Sequence, residues 1–155
     1  MIGVIDGSSK GVSKNHLKTI DKTRDLIEVC LDKADVNILE NTTNIDVINK
    51  VVDAGRIMLA ADTLGCAQSM IDKSVDYAKE RQQFGRPIGS FQAVKHMLAD
   101  VAIEIEFTNA LVYRAASSIE QNCSNASLHA AQAKFQSIKA CEIASKNGLQ
   151  AHGAM

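Results

Sequence analysis

Apolar positions along the chain change their period near residue 40. Residues 1–40 mix turn chemistry (Asp6-Gly7-Ser8-Ser9, Lys10-Gly11) with short β-type runs. The stretch Arg24 to Leu31 partly alternates, and Leu17 to Ile20 predicts another short strand. Two or three strands bury no face by themselves, so this segment reads as the end of a sheet whose other strands lie elsewhere. From about residue 43 the period becomes helical. Ile45, Ile48, Val52 and Leu59 recur at three, four and seven, and Ile71, Val75 and Ala78 at four and three, with Leu64 and Met70 between them. The one proline, Pro87, falls in a glycine-flanked break, Phe84-Gly85-Arg86-Pro87-Ile88-Gly89, after which Ser90 is the expected N-cap of a second helix. That helix carries Phe91, Val94, Met97, Leu98, Val101, Ile105 and Leu111 on one face. A polar break from Glu120 to Asn125 precedes a third, alanine-rich helix, where Leu128, Ala131, Phe135, Ile138 and Ile143 repeat until Gly148.

Three helices of roughly 25 to 38 residues are long against a mean of about 11–12 and suit an antiparallel bundle with short connections. The expected fold class is mainly α, a partial four-helix bundle preceded by a short β-segment. The unpartnered strands and the terminal His152-Gly153-Ala154-Met155 turn suggest a portion of a larger protein.

Composition narrows the function by exclusion. Seventeen basic against eighteen acidic residues leave a net charge of −1, which attracts neither nucleic acid nor an anionic membrane. Aromatics make up only 4% of the chain, too few for base-stacking platforms or a sugar cleft. No apolar run approaches the roughly 20 residues of a membrane span, and MIGVIDGSSKG is not a secretory signal. The cysteines at 30, 66, 123 and 141 have no C-x-x-C spacing and no matching histidine pair. They read as four reduced thiols rather than a disulfide or zinc framework. The sequons at Asn41, Asn122 and Asn125 are then chance matches. Dinucleotide, Walker, zincin and nucleophile-elbow motifs are absent, as is the E-x-x-H of di-iron bundles. No metal site is expected.

The segment Arg81-Gln82-Gln83-Phe84-Gly85-Arg86-Pro87-Ile88-Gly89-Ser90-Phe91-Gln92 resembles the acyl-CoA dehydrogenase signature R-x-x-F-G-x-x-I followed by F-Q. Gly11-Val12 and Asp21-Lys22-Thr23-Arg24 look like the end of that family's middle β-domain, a β-barrel. Gln150-Ala151-His152-Gly153-Ala154 looks like its Q-x-x-G-G turn, with Ala154 in place of the second glycine. The resemblance covers essentially the whole chain. It implies a partial β-domain at 1–40 and a truncated C-terminal helical domain at 41–155.

The resemblance also implies FAD as cofactor, with Arg81 on the pyrophosphate of a neighbouring subunit's flavin. A permanently charged guanidinium fork suits phosphate oxygens, although an arginine at a helix C-terminus also meets its own dipole. Gln82, Gln83, Phe91 and Gln92 would lie along the same cofactor, Phe91 being equally readable as core. Gln150 and Gly153 would meet its adenosine end, while His152 reads as a turn residue rather than a proton-transfer group. Asp53 and Arg56 match a pair that contacts acyl-CoA; the plainer reading is an i,i+3 surface ion pair.

The family reaction is α,β-dehydrogenation of an acyl thioester, with electrons passing on to an electron-transfer flavoprotein. Its base is a glutamate in a loop after the Q-x-x-G-G turn or, in some members, one residue before the substrate-contacting arginine. Here the first place lies past Met155 and the second is Gly55, so no catalytic residue is expected within these residues. Homodimers or homotetramers are implied, in a bacterial cytoplasm or mitochondrial matrix. The competing readings are a non-catalytic partner subunit and a helical assembly module without a ligand.

Overall fold

The computed structural model describes residues 2–40 and 45–153. It divides into two compact units, residues 1–48 and 49–155. In the first, strands β1 (Gly3–Val4) and β4 (Asn37–Ile38) pair antiparallel, as do β2 (Val12–His16) and β3 (Ile27–Leu31). The β2–β3 register runs from Val12 opposite Leu31 to His16 opposite Ile27. The strand expected at Leu17–Ile20 does not form. Leu17 closes the ladder through its N–H to the Leu26 carbonyl, and the chain then turns through Asp21, whose carboxylate accepts from the Thr23 amide and hydroxyl. An Asx turn competes with strand pairing, and Ile20 is left fully exposed. Ile27, Val29, Leu31 and Ile38 are exposed as well, as two-stranded sheets with little apolar burial would be.

The second unit is helical. Helix α1 (Ile45–Glu80) leads into a hairpin of β5 (Gln82–Gln83) and β6 (Arg86–Pro87), then one 3-10 turn (Ile88–Ser90) and α2 (Gln92–Glu120). Helix α3 (Ala126–Ala151) follows. Their lengths of 36, 29 and 26 residues agree with the periodicity. Ala60 of α1 packs with Ala115 of α2 and Ala133 of α3 at one end, and Ala78 with Leu98 and Ala151 at the other. The helices therefore alternate in direction. Between these ends Ala67, Ile71, Val101, Ile105 and Ala144 form the middle of the core.

Two local expectations change. The N-cap of α2 is Phe91, in an extended conformation, while the Ser90 hydroxyl donates to the Pro87 carbonyl inside the 3-10 turn. The face of α3 is also different. Leu128, Ala131, Phe135 and Ile138 point outward, and the buried row is His129, Ala130, Ala133, Ser137, Ala140 and Ala144. Small side chains let α3 approach its neighbours closely, so packing selects the alanine face over the larger apolar one.

Helix ends follow from sequence. Asn122, with φ of +53°, ends α2: its N–H donates to the Ile119 carbonyl and that of Cys123 to the Ser118 carbonyl. Both bonds of a Schellman cap are present, built on asparagine. Gly153, at φ +76°, ends α3 in the same left-handed region.

Candidate functional site

The signature segment is a two-residue β-hairpin. Gln82 pairs with Pro87 and Gln83 with Arg86, and Ile88 N–H donates to the Arg81 carbonyl at 2.8 Å, extending the ladder one step. The turn residues Phe84 and Gly85 have φ of +54° and +76°, the pair of positive angles a type I′ turn needs. Gly85 adopts this freely; a phenylalanine does so at a cost. Phe84 is also 92% exposed. Its ring meets the Phe91 ring edge-on at 6.2 Å, and the Arg86 guanidinium covers Phe91 at 4.1 Å. The 3-10 turn after the hairpin is pressed onto α1 at Gly89, where any Cβ would lie 2.9 Å from the Ala78 carbonyl oxygen.

This hairpin gathers the residues expected to meet a cofactor. Strand alternation puts Arg81 and Gln83 on one face and Gln82 on the other. Gln92, in the first turn of α2, is exposed, while Phe91 is half-buried between Phe84 and Arg86. Among the described residues the side chains of Arg81, Gln82, Gln83 and Gln92 have no hydrogen-bond or ion-pair partner. Gln150 and Gly153 sit at the C-terminus of α3, at the same end of the bundle. There the His152 ring stacks on Tyr77 of α1, centroids 4.3 Å apart. Ala154 lies outside the described residues.

Asp53 and Arg56 are elsewhere. They precede Arg81 on α1 by 28 and 25 positions, so Asp53 is roughly 40 Å away at 1.5 Å rise per residue. Their ion pair, 2.7 Å long, is not a plain surface contact: the Asp53 carboxylate is buried whereas Arg56 is half-exposed. The second Asp53 oxygen accepts a short hydrogen bond from the Ser127 hydroxyl in the first turn of α3. Sequence reasoning missed Ser127, because a contact spanning 74 residues leaves no periodic signal. It also missed His129, buried beside Ser118 at 2.7 Å. The Ser118 hydroxyl donates to the Arg114 carbonyl and so accepts from His129 Nδ1, an arrangement that satisfies all three groups.

Perturbed titrations lie away from these clusters. The Lys146 ammonium holds the exposed Glu142 carboxyl below its ordinary value, and burial, aided by Cys66, pushes the Cys141 thiol up. No group of three or more metal-ligating side chains occurs among the described residues.

The family model for the acyl-CoA dehydrogenase C-terminal domain matches residues 45–155. This chain belongs to the acyl-CoA dehydrogenase family. It is 41% identical over 104 residues to the caffeyl-CoA reductase–Etf complex subunit CarC of Acetobacterium woodii, covering 67% of this chain and 27% of that protein. With the 3-(aryl)acrylate reductase of Clostridium sporogenes it shares 34% over 160 residues, 97% of this chain and 41% of that one. Its fold superposes on butyryl-CoA dehydrogenase of Megasphaera elsdenii with a TM-score of 0.85 and 25% identity, covering 96% of this chain and 40% of the other. The chain thus spans well under half the length of these relatives. The family accounts for the mainly helical fold. No helix among the described residues is long and apolar enough to cross a membrane.

Proposed function

We propose that this chain is the part of an FAD-dependent acyl-CoA dehydrogenase that carries the end of its β-domain and most of its C-terminal helical domain. The observation carrying the reading is the hairpin after α1, which presents Arg81 and Gln83 on one face, with Gln92 following in the first turn of α2, their side chains without hydrogen-bond or ion-pair partners among the described residues. That donor set fits a flavin dinucleotide: a guanidinium fork for the pyrophosphate and amides for oxygens along the same edge. Gln82 would reach the cofactor from the opposite face of the hairpin, and Phe91 would offer it an apolar wall. Gln150 and Gly153 would meet the adenosine end. When bound, FAD supplies the hydride acceptor for α,β-dehydrogenation of an acyl-CoA thioester.

Asp53 and Arg56 would contact the acyl-CoA. They lie roughly 40 Å along α1 from the hairpin. In a homodimer or homotetramer whose subunits exchange hairpins, the two sets would serve different active sites. The relative CarC is named as part of a complex with Etf, supporting an electron-transfer flavoprotein as acceptor, in a bacterial cytoplasm or mitochondrial matrix.

No catalytic base is assigned here. Gly55, beside Arg56, has no carboxylate, although a Cβ there would meet nothing within 4 Å. Packing does not demand glycine at that position. This leaves the second reading, a non-catalytic subunit completing another chain's site, which acyl-CoA turnover by the intact protein would exclude.

The test is FAD titration of the intact protein. Arg81→Ala should weaken retention by about 1.5–3 kcal/mol, the range for a hydrogen bond to a charged group. Arg81→Lys should recover only part, because an ammonium cannot copy the fork. Equal FAD affinity in all three proteins would make Arg81 a helix-end residue and end the cofactor reading.

A further inference from the structure

Helices α1 and α3 meet through a graded contact at their C-terminal and C-terminal-turn ends. At Gly148 a Cβ would lie 3.1 Å from the Ser74 Oγ, so a small residue here lets the two helices come close. The Ser74 hydroxyl is satisfied by its own helix, donating to the Met70 carbonyl at 2.7 Å. About one turn further along both helices, the His152 ring lies over the Tyr77 ring at 4.3 Å between centroids and 23° between planes. His152 Nδ1 is 2.7 Å from the Gly148 carbonyl oxygen. A carbonyl only accepts, so Nδ1 carries the proton and the ring is fixed in both tautomer and orientation.

Each partner of this stack is wired to one of the two segments assigned to the flavin. The Tyr77 carbonyl accepts the Arg81 N–H at 2.8 Å, one turn on. His152 immediately precedes Gly153, whose N–H returns to the Gln150 carbonyl at 3.0 Å. Gly153 needs its φ of +76° but no extra space, since nothing lies within 4 Å of its Cβ position. Backbone hydrogen bonds and buried Ala151 hold this turn on α3, and the histidine ring adds a side-chain contact from the turn to α1.

We propose that His152 is a positioning residue: its ring, pinned to Gly148 and stacked on Tyr77, locks the turn bearing Gln150 and Gly153 to the helix end bearing Arg81. Two segments some 70 residues apart in sequence then present one rigid surface. The effect on cofactor retention rests on the flavin reading above; the mechanical coupling does not. Aromatic pairs contribute modestly beyond their buried area, so the expected loss is graded rather than complete.

Two measurements on the intact protein test this. In amide hydrogen exchange without added FAD, His152→Ala should speed exchange at Arg81 as well as at Gly153, and His152→Phe, which keeps the ring but not the Nδ1 donor, should restore part of the slow exchange at Arg81. Unchanged exchange at Arg81 in His152→Ala would overturn the coupling. In FAD titration, His152→Ala and Tyr77→Ala should each weaken binding about 3- to 10-fold. The double variant should be no weaker than the weaker single one, and His152→Phe, which keeps the stack but not the Nδ1 donor, should fall between the parent and His152→Ala. Losses that multiply, or a phenylalanine variant no better than alanine, would show that the stack does not position the site. If Arg81→Ala leaves FAD affinity unchanged, the flavin reading fails while hydrogen exchange still decides the coupling.

Discussion

Asp53 shows how one side chain can serve the scaffold before it serves a ligand. Its carboxylate is buried, one oxygen on the Arg56 guanidinium and the other on the Ser127 hydroxyl, so it ties α1 to the first turn of α3. A buried carboxylate is costly unless both oxygens are satisfied, and here the chain satisfies them without any ligand. Asp53→Asn keeps the shape and removes the charge. It should cost about 1.5–3 kcal/mol in urea unfolding, the range for losing hydrogen bonds to a charged group, with no acyl-CoA present. An unchanged midpoint would show that the pair contributes nothing to the fold and leave substrate contact as its sole role. At this scale the sequence displayed the i,i+3 pair but not its burial, since Ser127 arrives from a helix 74 residues away. Phe84 was hidden in the same way. The Phe-Gly dipeptide marks a turn, yet only the backbone reveals that the phenylalanine holds φ +54° with its ring in solvent.

Among the helices, residue size decides which face is buried. Helical period was plain in all three, because spacings of three, four and seven persist over many turns. Orientation was plain for α2, where Leu98, Val101 and Ile105 of the expected face are buried while Ile103 and Phe107 lie outside it and exposed. It was not plain for α3, where two apolar stripes compete and the larger one lost. Hydrophobicity ranks Leu128 and Phe135 above alanine, but a close-packed core is filled by volume, and the α3 residue packed between Ala60 and Ala115 is the small Ala133. Ala133 is fully buried there, whereas Ala131 is exposed. Ala133→Leu should therefore destabilise the bundle by about 1–3 kcal/mol through overpacking, while Ala131→Leu stays within about 0.5 kcal/mol of the parent. Thermal or urea unfolding of the pair checks this. Similar effects at both positions would mean that α3 packs loosely enough to rotate.

At the scale of the whole chain, what remains uncovered matters as much as what is packed. Leu128, Phe135, Ile138 and Leu149 lie exposed along α3, and Met58, Ile103, Phe107 and Tyr113 are exposed on α1 and α2. A monomeric soluble protein rarely carries apolar surface of this extent. The chain spans 27% of CarC and 41% of the 3-(aryl)acrylate reductase. Prepared by itself, the 155-residue chain should bury these faces by associating with itself, loosely and in proportion to concentration. Phe135, 73% exposed at the middle of the α3 stripe, is the place to interrupt this. A glutamate there adds a charge that resists desolvation and removes no packing from the folded chain. Sedimentation velocity across a hundredfold concentration range should show mass rising for the parent and a shift toward monomer for Phe135→Glu, with helical content unchanged. A parent chain that stays monomeric throughout would mean that its own packing tolerates the exposed stripe, and that no further surface is required to cover it.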